Sequence, residues 1–112
     1  MPFANDFPQM RLILAHLGCG WDGDPGHQVR AIQAPRHGNL FVDTSSAQSI
    51  LPHLIEWAVR EVGAERLLYG TDTPLYFAAM QRVRIDKADL SNEQKRMILR
   101  DNAVKLFKNW NL

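Results

Sequence analysis

Three short apolar runs set the rhythm of the chain: residues 11–16 (RLILAH), 39–43 (NLFVD) and 66–72 (RLLYGTD). Each is apolar at consecutive rather than alternate positions, the pattern of strands buried on both faces, as in a parallel sheet. Consecutive apolarity also fits a short buried helix, so the flanks arbitrate. Gly18 and Gly20 follow the first run, Gly38 precedes the second, and Gly70 and Pro74 bracket the end of the third. Such breakers favour strands.

Helical spacing fills the intervals. Residues 50–62 put Leu51, Leu54, Ile55, Ala58 and Val62 on one face, with Glu56 and Arg60 one turn apart on the other. Gly63 stands where a helix-ending glycine belongs. A shorter helix is expected over 25–34, carried by Val29 and Ile32 with Pro25 in its first turn. Residues 75–85 also read as helical. Ser91-Asn92-Glu93-Gln94 has the form of a capping box and opens a final helix through Ile98 and Leu99 toward Phe107. Phe3, Phe7 and Met10 read as the tail of a helix before the first strand.

The strands recur at roughly 27 residues, a βα spacing, and right-handed crossovers would make them parallel. A parallel sheet of three strands leaves both edges unpaired. A TIM-type (β/α)8 barrel needs about 250 residues, so three units plus terminal helices amount to a portion of one. The fold class is therefore α/β, with residues 1–112 forming one partial barrel domain.

Composition narrows the setting. Apolar residues make up 46% and charged residues 22%, which excludes global disorder. A net charge of +1 with scattered basic residues gives no footprint for nucleic acid. Cys19 is the only cysteine, which precludes an internal disulfide and fits a reducing compartment. No apolar run approaches the roughly 20 residues that span a bilayer, and the first residues do not read as a signal peptide. The expected location is the cytoplasm, with no membrane partner.

Polar groups at the C-terminal ends of parallel strands are where α/β proteins collect their chemistry. His16, Asp43 and Asp72 close the three runs. A histidine and carboxylates on one rim can ligate a divalent metal or exchange protons. Each has a plainer reading: a hydrogen-bonded histidine for His16, a turn-forming cap for Asp72. The glycine-rich stretch 18–26 lacks the residues of a phosphate or calcium loop, and its Trp21 is placed to line a substrate pocket. His27, His37 and His53 lack partners at metal spacing, and Cys19 lacks an activating base. A phosphoaspartate role for Asp43 or Asp72 lacks the D-x-D-x-T arrangement. Lys87, Lys95, Arg96, Arg100 and Lys105 mark solvated helix faces.

Four segments together carry a resemblance: RLILAHLG (11–18), NLFVDTS (39–45), ERLLYGTDTP (65–74) and ILRDNAVKLF (98–107). In order and spacing they resemble the C-terminal part of the amidohydrolase-related family, which includes aminocarboxymuconate semialdehyde decarboxylase and other aromatic acid decarboxylases and hydrolases. The resemblance implies that Asp72, ending the last barrel strand, is a metal ligand that also takes a proton. It implies that His16, ending the sixth strand, is the general base, or a ligand in some relatives. It carries no firm role onto Asp43, for which a structural hydrogen bond is expected. The N-A-x-x-L-F helix is a structural signature of the family. The implied cofactor is a divalent metal, zinc by expectation, and the implied partner a small-molecule substrate.

The family's His-x-His pair has no counterpart here, and its fifth-strand histidine would fall before Met1. Zinc normally takes three protein ligands plus water, so the chain alone is expected to bind metal weakly and to catalyse poorly. Two readings follow. One is a truncated metal-dependent hydrolase or decarboxylase of small carboxylated or aromatic compounds. The other is a non-catalytic barrel fragment that associates through its strand edges, with another copy or with a missing N-terminal half.

Overall fold

A computed structural model describes residues 2–46 and 51–108. Helix α1 (Pro2–Asp6) leads into β1 (Leu12–Leu14), α2 (His27–Gln33), β2 (Leu40–Asp43) and α3 (Leu54–Val62). A 3-10 turn (Ala64–Arg66) precedes β3 (Leu67–Leu68), and α4 (Ala78–Asp86) follows it. The last stretch is helical throughout: α5 (Asn92–Arg96), a π segment (Met97–Asp101) and α6 (Asn102–Phe107). The strands form one parallel sheet in the order β1-β2-β3, with Leu12 opposite Leu40 and Val42 opposite both Leu14 and Leu67.

The parallel order agrees with the apolar runs, but the strands are shorter than those runs. β3 shows why. Tyr69 N–H donates to the Ile98 carbonyl at 3.0 Å, so the chain leaves the ladder for the terminal helix immediately after Leu68. That carbonyl sits in the π segment, where Asn102 N–H bonds Met97 O five residues back. A widened turn leaves a carbonyl available to an outside donor.

Leu40, Val42 and Leu67 are buried with Val29, Ile32, Ile55, Ala58, Ile85 and Ile98 in a single core. Side chains alternate along a strand, so Ile13 and Phe41, paired in register, lie on the opposite face. Ile13 is 41% exposed, and Arg66 stacks on Phe41 with its guanidinium 5.4 Å from the ring centre.

The caps follow the sequence. Ser91 Oγ accepts from Gln94 N–H at 3.1 Å and Gln94 Oε1 accepts from Ser91 N–H at 3.0 Å, completing the capping box. Gly63 ends α3 at φ 86°, donating its N–H to Val59 O at 2.9 Å. Other expectations are corrected. Helix α2 begins at His27, leaving Pro25 ahead of it. Residues 75–77 are not helical, because Leu75 and Tyr76 N–H groups close a turn on Asp72 O. Glu56 and Arg60 do not pair: Glu56 accepts from Asp89 N–H at 2.8 Å, while Arg60 lies 3.9 Å from Glu61. Burial raises the Glu56 pKa, but hydrogen bonding led by Asp89 N–H outweighs it and holds the carboxyl below its ordinary value. The expected start of α3 at Ile50 lies outside the described residues.

Two buried asparagines fasten the ends of the chain to the sheet. Asn39 Nδ2 reaches the carbonyls of Ala4, Phe7 and Met10 at 3.0–3.2 Å. Asn102 Nδ2 donates to Ala64 O at 2.8 Å and Leu67 O at 2.7 Å, pinning the terminal helix under β3. Asn102→Ala strands two buried carbonyls, and a loss of about 2–3 kcal/mol is expected in urea unfolding.

Candidate active site

The three strands end on one rim, and the chain turns sharply at two of the candidate residues. His16 has φ 66° and Asp72 φ 56°, both in the left-handed region. His and Asp tolerate that region better than most side chains, but at a local cost of about 1–3 kcal/mol. The surroundings must hold them there.

At His16 the holding groups come from β2. Asp43 Oδ1 accepts from His16 N–H at 3.0 Å and from Ser45 N–H at 3.0 Å, and it also accepts from the Ser45 hydroxyl. The same hydroxyl lies 2.9 Å from His16 Nδ1. Leu17 N–H, one residue on, donates to Asp43 O at 2.9 Å. Asp43 thus has the hydrogen-bonding role expected of it. Gln28 on α2 secures the next turn through Cys19 O at 2.9 Å and Gly18 N–H at 3.3 Å.

The loop after β2 is braced from two sides. Thr44 N–H donates to Leu68 O, and Thr44 Oγ1 accepts from Gly70 N–H at 3.2 Å. Arg84 on α4 donates to Thr44 O, Ser46 O and Gln81 Oε1 at 3.1, 3.2 and 2.6 Å. Desolvation at this half-buried position pulls the guanidinium pKa below its ordinary value. Gly70 lets β3 approach: a Cβ there would lie 2.9 Å from Ser45 Cβ and 3.1 Å from Asp43 Cβ.

Asp72 lies two residues beyond that contact, before the cis Thr73–Pro74 bond. It is partly exposed, and its backbone carbonyl closes the turn to Leu75 and Tyr76. Its carboxylate takes no hydrogen bond among the described residues, so nothing there consumes it as a turn cap. His16 and Asp72 share the rim, but no direct contact joins them among the described residues. Nor do the described residues contain a group of three His, Cys, Asp or Glu side chains able to hold a metal. The described residues alone therefore do not make up a complete metal site.

Other expected features fall away from the rim chemistry. Trp21 is fully exposed. His27 is bound to Asp22 at 2.9 Å and to Arg30, and Arg96 and Arg100 both pair with Asp101. A cavity of about 260 Å³ lies at the opposite end of the strands, between Arg11, Phe41, Arg66 and Lys105. Ser45 and Arg84 were not singled out by the pattern, and Gly70 only as a breaker. The Asp-x-Ser spacing of residues 43–45 is itself an Asx-turn signal that would have singled out Ser45. No helix among the described residues is long and apolar enough to cross a membrane.

Gly70→Ala tests the close approach. The added methyl displaces Asp43 and Ser45, with a stability loss of about 1–3 kcal/mol expected in urea unfolding and shifted amide resonances at residues 43–45 and 16.

Comparisons with known proteins agree with this architecture. The chain superposes on 2,6-dihydroxybenzoate decarboxylase from Rhizobium with a TM-score of 0.72 at 20% identity, covering 94% of this chain and 36% of that one. For 5-carboxyvanillate decarboxylase from Sphingomonas paucimobilis the values are 0.72, 17%, 95% and 36%. For a dihydroxybenzoic acid decarboxylase from a Polaromonas species, solved with manganese and the inhibitor 2-nitroresorcinol, they are 0.70, 22%, 94% and 36%. At these identities the likeness establishes the fold, and the chain spans 36% of the length of these structures. No curated protein matches. The amidohydrolase family model matches residues 2–108, and the chain belongs to that family.

Proposed function

We propose that residues 1–112 supply the C-terminal βα units of a metal-dependent decarboxylase or hydrolase acting on small carboxylated or aromatic compounds. In this reading His16 is the general base and Asp72 is one ligand of a divalent metal, with the remaining ligands coming from outside the described residues. The observation that carries it is the left-handed rim: two ionisable residues held at strained backbone positions, one with its ring fixed by neighbours and one with its carboxylate unengaged. Strain of this kind collects at functional sites. The family match and the structural neighbours, decarboxylases of aromatic acids in the three cases named above, support the substrate class.

The metal is left as a divalent ion. Zinc was the expectation from resemblance, whereas the Polaromonas structure names manganese, so manganese is the ion to try first. A hard carboxylate ligand suits it.

A second reading rests on the sheet itself. Among the described residues β1 and β3 each pair on one side only, and Ile13 is exposed on the open face. A non-catalytic fragment associating through those edges would explain both. Manganese titration of the chain, followed by paramagnetic broadening, separates the readings. The catalytic reading expects weak binding, lost on desalting, with broadening centred on Asp72 and abolished by Asp72→Asn. Broadening centred elsewhere, together with a discrete oligomer on gel filtration that Asp72→Asn leaves intact, would favour the fragment.

A further inference from the structure

Ser45 is 5% exposed, and its one hydroxyl hydrogen faces two partners, Asp43 Oδ1 and His16 Nδ1. Oδ1 already accepts two backbone N–H groups, from His16 and Ser45, both at 3.0 Å. Backbone amides only donate, so this oxygen presents lone pairs and the Ser45 hydroxyl must give its hydrogen to it. Toward the histidine, the hydroxyl can then only accept. A neutral imidazole has one N–H, and the hydrogen bond made by one ring nitrogen decides which nitrogen carries it.

We propose that Asp43 and Ser45 are a positioning pair that fixes the neutral His16 ring as the Nδ1–H tautomer and leaves Nε2 as its open lone pair. Asp43 acts through Ser45, and neither touches the reacting atoms. The order of the relay is carboxylate, hydroxyl, imidazole, with every hydrogen pointing back toward Asp43. Its geometry is held from three directions. The same Asp43 oxygen holds the His16 backbone, Gly70 closes against both side chains, and Arg84 clamps the carbonyls of Thr44 and Ser46 on either side of Ser45. Among the described residues Nε2 has no hydrogen-bond partner, so the nitrogen left basic is also the one left free. The catalytic meaning of this arrangement rests on His16 being the base proposed above; the tautomer does not.

Nitrogen-15 spectra of the imidazole rings in the 112-residue chain, recorded where His16 is neutral and assigned with His16→Gln, read the tautomer directly. The expected result is an Nδ1–H ring in the wild type and in Ser45→Thr, which keeps the hydroxyl. Ser45→Ala and Asp43→Asn are expected to shift the ring toward Nε2–H, the form favoured by histidine in water. An Nε2–H ring in the wild type overturns the proposal without any variant, and so does an Nδ1–H ring that persists unchanged in a folded Ser45→Ala protein. Manganese broadening at Asp72 is a separate readout, so failure of the metal-site reading leaves the tautomer result standing.

Discussion

Asp43 Oδ1 accepts hydrogen bonds from the His16 backbone, the Ser45 backbone and the Ser45 hydroxyl, at the level where the parallel ladder between β1 and β2 has run out. A parallel ladder ends with unpaired amides that must find acceptors or water. Here one carboxylate oxygen replaces the missing partners beyond the ends of both strands at once. Hydrogen bonds to charged acceptors are stronger than those between neutral groups. That strength is what holds His16 at φ 66°, and the loop from Thr44 to Ser46 is then free to be clamped by Arg84 and Gly70. Removing the carboxylate would loosen both loops together.

Much of this architecture was legible in the chain. Consecutive apolar positions located all three strands, because a strand covered on both faces needs no polar alternation. Gly63 and the Ser91–Gln94 box marked helix ends, because those positions depend on local backbone chemistry. Ends set by partners far along the chain were not legible. β3 stops at Leu68 because its next amide is taken by Ile98. Glu56 left Arg60 for an amide 33 residues away. Long-range acceptors of this kind leave no local pattern.

The site was legible in the same uneven way. His16, Asp43 and Asp72 stood out because the ends of apolar runs are where an α/β sheet offers polar groups; in the structure Asp43 ends β2, whereas His16 and Asp72 lie two and four residues beyond β1 and β3. What the pattern did not hold was the difference between them. Asp43 spends one oxygen on three donors, whereas the Asp72 carboxylate is unengaged among the described residues. The two aspartates therefore differ in availability, a distinction visible only once Ser45 and His16 are placed around the first. Gly70 was read as a breaker, yet its part is to let one backbone lie against two side chains.

The π segment has a consequence for the length of the chain. A π turn is an α-helix carrying one extra residue, and each residue of an α-helix turns the axis by about 100°. Loss of a single residue between Met97 and Asp101 would restore a regular helix and swing everything after it by that angle. Asn102 would leave the carbonyls of Ala64 and Leu67, Leu106 would leave the core, and the carbonyl that receives Tyr69 would close back into its own helix. The widened turn therefore works as a phase setting between the last helix and the last strand. Substitutions there are a matter of packing, whereas insertions and deletions would unseat the strand that carries Asp72 to the rim.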